Sequence, residues 1–176
     1  MTDAEKLKIY SAMTETTRKW VSVMYTKAGF ISALNAGLLA FVWTGAKLIE
    51  GDFWQKYLAL GATAFSLVSL FMALRVVLPC CTLKQVFGRN LAYVEDFKPI
   101  SFYGFVAGNY PKGQDGRFIK DVMELDEKDL AKEALEQHFT ISHVVQSKSN
   151  SVAIAGHFLK IALLLIGAGL FKKVLL

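Results

Sequence analysis

Cysteine, histidine and proline are scarce in this chain: 176 residues include two, three and three of them. Cys80 and Cys81 are adjacent, and neighbouring cysteines cannot easily close an ordinary bridge, so a disulfide-stapled scaffold is excluded. They read as two small residues in a reducing compartment, with juxtamembrane acylation as the sharper alternative. His138, His143 and His157 have no cysteine or carboxylate at metal-ligand spacing, and no metal is expected. His138 and His143 are five residues apart, which puts them on different faces of a helix. P-loop, GxGxxG and HExxH patterns are also missing, so neither an enzyme nor a catalytic residue is expected. Pro79, Pro99 and Pro111 all fall within residues 79–116. The flanks are therefore free to form long helices. No cleavable signal peptide is evident, because the first 27 residues are polar and the first apolar run starts later than a signal's apolar region should. That run is expected to stay as a signal anchor.

What the chain does contain is hydrophobic length, at 53% of residues. Residues 28–46 and 57–74 are uncharged runs of 19 and 18 residues. At about 1.5 Å per residue each makes a helix of roughly 27 to 29 Å, close to the thickness of a bilayer's hydrocarbon core. The segment between them, 47–56, collects Lys47, Glu50, Asp52 and Lys56. Trp43, Phe53, Trp54 and Tyr57 flank it as an aromatic belt. A third apolar stretch, 152–176, is interrupted by His157, Lys160, Lys172 and Lys173, and its longest uncharged piece, 161–171, has only 11 residues. It crosses only if Lys160 is tolerated, at a cost of about 2.5 to 3.5 kcal/mol at the centre of a span. A third span is expected, with a helix lying in the interface as the alternative.

Basic residues set the orientation. Lys6, Lys8, Arg18, Lys19 and Lys27 precede the first run. Lys84, Arg89, Lys98, Lys112, Arg117, Lys120, Lys128, Lys132 and Lys148 follow the second, whereas the hairpin has two. The expectation is a multi-pass protein with its N-terminus and central region in the cytoplasm and the hairpin outside. Lys172 and Lys173 then lie outside, against the rule. The net charge of +5 is modest. The central basic residues are balanced by acidic ones, so nucleic acid binding is not expected.

Leu7, Tyr10, Met13, Thr17, Trp20 and Met24 recur at spacings of three and four, predicting an amphipathic helix, capped by Thr2 or Asp3, that runs into the first span. Residues 79–116 read as irregular or partly stranded around Phe97, Phe102, Tyr103, Phe105 and Tyr110. Residues 118–145 return to a helical pattern. In the first span Gly29, Ala33 and Gly37 form a small-residue face with Asn35 nearby, suited to close helix contact either with Thr63, Ser66 and Ser69 of the second span or with another subunit. In the last helix His143, Ser147, Asn150, His157, Lys160 and Gly167 share one broad face. A polar face at membrane depth suggests a water-filled path or a seam between subunits; the alternative is that Lys160 snorkels.

The run from Trp20 through Thr26, Lys27, Ala28 and Gly29, continuing to Ala33, Asn35 and Gly37, resembles the opening motif of the transmembrane effectors of bacterial Pycsar anti-phage systems. Pro79, the Phe102-Tyr103-Gly104 segment, Tyr110 and the Ser147-Lys148 pair resemble further pieces in order. This chain has Tyr25 where an acidic residue is usual, and lacks an arginine-rich run before the last helix. The resemblance implies an inner-membrane effector that senses a cyclic nucleotide, cCMP or cUMP, made by a partner cyclase, and then impairs the membrane, acting as a homo-oligomer. The residue pattern divides the chain into a cytoplasmic amphipathic helix (1–27), a transmembrane hairpin (28–78), a cytoplasmic region (79–150), for which the resemblance implies sensing, and a C-terminal transmembrane helix (151–176), an all-α membrane protein. A cyclic nucleotide needs a cation or N–H groups and an aromatic face. Candidates are Arg89, Lys98, Phe102, Tyr103, Tyr110, Arg117 and Lys120. Candidates for packing and gating are Lys27, Gly29, Ala33, Asn35, Gly37, His157 and Lys160. A structural subunit of a larger complex and a small constitutive channel are the competing readings.

Overall fold

The computed structural model describes residues 2–78, 100, 106 and 108–175, which are helical and include no strand. Four helices carry the architecture: α1 (Asp3–Ala40), α2 (Phe53–Val77), α3 (Asp115–Met123) and α4 (Glu127–Leu175). Proline is absent from all four, and local chemistry sets their starts. Thr2 opens α1: its Oγ1 accepts the Glu5 N–H at 3.3 Å while Glu5 Oε2 accepts the Thr2 N–H at 2.8 Å, a capping box. Of the two expected caps it is Thr2 that acts. As expected, α1 continues unbroken into the first apolar run.

The α1–α2 hairpin turns through a π-helical segment, Phe41–Gly45, and a 3-10 segment, Leu48–Glu50, with Lys47 between them in the left-handed region at φ 49°. Asp52 caps α2. Its carboxylate accepts the Gln55 N–H at 2.9 Å, and Gln55 Oε1 accepts the Asp52 N–H at 3.3 Å. Gly51 makes that return bond possible, because a Cβ at this position would stand 1.6 Å from Gln55 Oε1.

Helices α1, α2 and α4 are each long and apolar enough to cross a membrane, which makes this an all-α membrane protein. The third crossing is embedded in one helix of 49 residues, Glu127–Leu175. The helix therefore runs past position 150 without a break.

The chain forms two compact units. One comprises residues 21–78 and 146–175 among those described. Its interior is rich in small and polar residues, with Ala28, Asn35, Ala59, Ala62, Ser66, Ser69, Ala73, Ala155 and Ala162 buried beside Ile31, Val42, Leu48, Val76, Leu159 and Ile166. Other large apolar ones point outward, among them Phe30, Leu60, Leu67, Phe71, Ile154, Leu164 and Phe171. Hydrocarbon supplies no hydrophobic drive between helices, so close approach through small residues and hydrogen bonds holds such a unit together.

α2 and α4 run antiparallel in a constant register. Ser69 Oγ donates to the Ala155 carbonyl at 2.8 Å. Seven residues further along α2 and seven back along α4, Lys148 Nζ donates to the Val76 carbonyl. Seventeen residues the other way, Lys172 pairs with Asp52. Lys173 Nζ also donates to the Ala46 carbonyl at 2.7 Å. The two C-terminal lysines thus cap the hairpin rather than standing free.

The other unit pairs the start of α1 with the start of α4, together with α3. Thr14 Oγ1 lies 2.8 Å from the Ala134 carbonyl, Thr17 Oγ1 3.0 Å from His138 Nδ1, and Arg18 donates to Gln137 Oε1 at 3.0 Å. The face that α1 buries here runs through Tyr10, Thr14 and Thr17, while Met13 and Trp20 are exposed. Of the face expected from sequence, Leu7, Tyr10, Thr17 and Met24 are buried or half-buried, and only Met13 and Trp20 depart from it. The threonines can be buried because each hydroxyl also reaches the carbonyl four residues back, at 3.0 Å.

Candidate functional site

Two places concentrate unusual chemistry, one in each unit. In the membrane unit, Asn35 of α1 is fully buried. Its Nδ2 donates to Ser69 Oγ at 2.8 Å and to the Ile31 carbonyl at 2.9 Å. Ser69 Oγ in turn donates a hydrogen bond to the Ala155 carbonyl, so one relay joins all three spans. Asn35 Oδ1 is left without a partner. Asn35 thus bonds within the chain, to the second span. Gly29, Ala33 and Gly37 instead lie on the outside of α1, and a Cβ added at Gly29 or Gly37 would meet nothing within 4 Å. Lys27 is exposed and borders a shallow depression of about 390 Å³ lined also by Thr26, Phe30, Ile31 and Val152.

On α4, Ala155, Leu159, Ala162 and Ile166 face inward, and His157 and Lys160 face out. His143, Ser147, Asn150 and Gly167 are exposed as well, so the broad polar face expected from the sequence is an outer face. Lys148 is different. Besides bonding the Val76 carbonyl, its ammonium sits 4.7 Å from the centroid of the Tyr25 ring, tying α1, α2 and α4 at one point. Sequence reasoning missed this clamp, although Tyr25 standing where an acidic residue is usual was the available signal.

In the other unit, α3 presents Arg117 5.9 Å from the centroid of Tyr110, with the Phe118 ring at 5.1 Å. Tyr110 donates to Asp121 Oδ2 at 2.8 Å. Desolvation and that carboxylate, in this order, raise the phenol's pKa above its usual value. Lys120 is exposed and pairs with Glu124 at 3.9 Å. Of the ligand candidates, Tyr110 and Arg117 are brought together and Lys120 lies further along the same helix. Arg89, Lys98, Phe102 and Tyr103 lie outside the described residues, as do Pro79, Cys80, Cys81, Phe97 and Phe105. No group of three or more histidine, cysteine or carboxylate side chains suited to a metal occurs among the described residues.

A family model described as the Pycsar effector protein domain, PycTM, matches residues 9–172. The chain belongs to that family. The match extends over all three spans and the charged start of α4, so both units of this Pycsar effector are parts of the family domain. It places the chain in anti-phage defence and in a membrane, linked to a cyclase-based system. Nothing among curated proteins or solved structures matches.

Proposed function

We propose that this Pycsar effector binds a cyclic pyrimidine mononucleotide, cCMP or cUMP, and responds by impairing the inner membrane as a homo-oligomer. The observation that carries the reading is the family match across residues 9–172. Local chemistry supports it. A cyclic nucleotide offers one phosphate charge and a flat base, and Arg117 beside the rings of Tyr110 and Phe118 supplies a cation next to aromatic surface. Asp121 repels a phosphate, so the anion sits on the Arg117 side and the base toward the rings. Copies associate through the face of Gly29, Ala33 and Gly37, which is open in the single chain and has no bulky side chain to keep a second helix away. The N-terminus and residues 79–150 face the cytoplasm, where a cyclase product is available, and the hairpin faces out.

The decisive experiment titrates the detergent-solubilised full chain with cCMP, cUMP and their purine counterparts. Saturable binding of a pyrimidine nucleotide, weakened about tenfold or more by Arg117→Ala with the far-UV spectrum unchanged, is the expected result. No binding to any of the four overturns the sensing role, and membrane leakage without nucleotide would mark a constitutive channel instead. Gly37→Leu is expected to shift sedimentation toward smaller species. Maleimide labelling of a cysteine at position 52 in intact cells, and of one at 115 only after permeabilisation, is expected for the orientation.

A further inference from the structure

Lys160 is exposed on the outer face of α4 with no partner among the described residues. Its depth is fixed by two other lysines of the same helix. Lys148 ties to the last turn of α2, and Lys172 to the residue that caps the first turn, so the two mark opposite ends of the spanning unit. Lys160 lies twelve residues from each, about 18 Å along the helix either way. A lysine's four-carbon stem reaches only about 6 Å, against a hydrocarbon half-thickness of about 15 Å. Snorkelling therefore falls short from this position, and an outward ammonium left in lipid carries the full cost of about 2.5 to 3.5 kcal/mol, which a polar surrounding removes.

What covers it cannot be a carboxylate of the spanning helices. The window from Phe53 to Val77 has no Asp or Glu, and neither do residues 28–45 or 149–175. A second copy brings the same inventory. It contributes another Lys160 and, one turn away on the same outer face, another His157. Copies meeting here enclose positive charge with no fixed counter-charge, and only water and mobile anions remain to balance it. Rings of lysine at a constriction favour anions.

We infer that two or more copies of the chain meet around the outer face of α4, and that Lys160 makes the pathway between them anion-selective. The inference rests on the reading that copies of the effector breach the membrane, and it specifies what crosses. The test is electrical. The full-length chain is reconstituted in planar bilayers of phosphatidylethanolamine and phosphatidylglycerol under a tenfold KCl gradient, with cCMP or cUMP added. The reversal potential is expected on the chloride side, near zero for Lys160→Gln, and on the potassium side for Lys160→Glu. A cysteine at 160, in a background lacking Cys80 and Cys81, is expected to cross-link between copies in native membranes. A wild-type current without anion preference, or with the same preference in both variants, overturns the inference and leaves the breach standing, as does a current without the cross-link. No current with either nucleotide overturns the breach itself, and the selectivity with it.

Discussion

Replacing Ser69 by alanine tests the idea that one side-chain relay locks three spans together. The hydroxyl accepts from Asn35 Nδ2 at 2.8 Å and donates to the Ala155 carbonyl at 2.8 Å, in a place where neither group reaches water. Hydrogen bonds inside membrane bundles average about 0.6 kcal/mol and reach about 1.7 kcal/mol. Losing two costs about 1 to 3 kcal/mol by that scale, and the Asn35 amide then keeps a single partner, the Ile31 carbonyl. Asn35→Ala loses both the α1–α2 link and the bond to the Ile31 carbonyl but also deletes the unpartnered Oδ1, so it is expected to cost less per atom removed than the serine change. A double-mutant cycle isolates the shared bond, with an expected coupling of about 0.6 to 1.7 kcal/mol. The assay is reversible unfolding in mixed micelles, followed by far-UV circular dichroism for both single variants and the double. Strictly additive single effects, or a Ser69→Ala variant as stable as the parent, would refute the relay.

Three further outcomes follow from particular contacts. Gly51→Ala places a methyl group where Gln55 Oε1 lies, opening half of the capping box, and is expected to destabilise α2 by about 0.5 to 1 kcal/mol in the same unfolding assay. Asp52 is held below its ordinary pKa of 3.8, first by the Lys172 ammonium and then by the Gln55 N–H. A depressed carboxylate stabilises above its unfolded pKa and loses that contribution as pH falls through the folded one. Nitroxide distances between positions 56 and 174 are therefore expected to stay fixed down to the ordinary carboxylate range and lengthen only below it, whereas Asp52→Asn loosens this end at every pH. Tyr25→Leu removes the ring that faces Lys148 and is expected to lower stability by about 0.5 to 1 kcal/mol, while Tyr25→Asp restores an attraction by pairing directly with the ammonium. Equal losses in the leucine and aspartate variants would show that the ring acts only by packing.

The helices themselves were legible in the residues alone. Uncharged runs of bilayer length, an N-terminal capping threonine and prolines confined to one region leave little choice, because helix formation depends on neighbours three or four positions away. The resemblance carried by Lys27, Ala28, Gly29 and Asn35 likewise located the family before any coordinates. Which face each helix turns inward was another matter. Gly29, Ala33 and Gly37 looked as suited to the interior as Asn35, and Met13 and Trp20 looked more suited than Thr14, yet the structure reversed both impressions. In the spanning unit the reason is that hydrocarbon removes the usual penalty for exposing large apolar side chains, and in the other unit it is that Thr14 and Thr17 find polar partners on α4. Burial is then decided by which small or hydroxyl-bearing residues satisfy one another across helices, and that depends on partners 34 to 120 positions apart in sequence. The lysines show the same division. Sequence counted Lys148 with the cytoplasmic region and Lys160 and Lys172 with the last apolar stretch, and only the packed structure put all three on one helix, gave the outer two carbonyl and carboxylate partners on the hairpin and left the middle one facing outward.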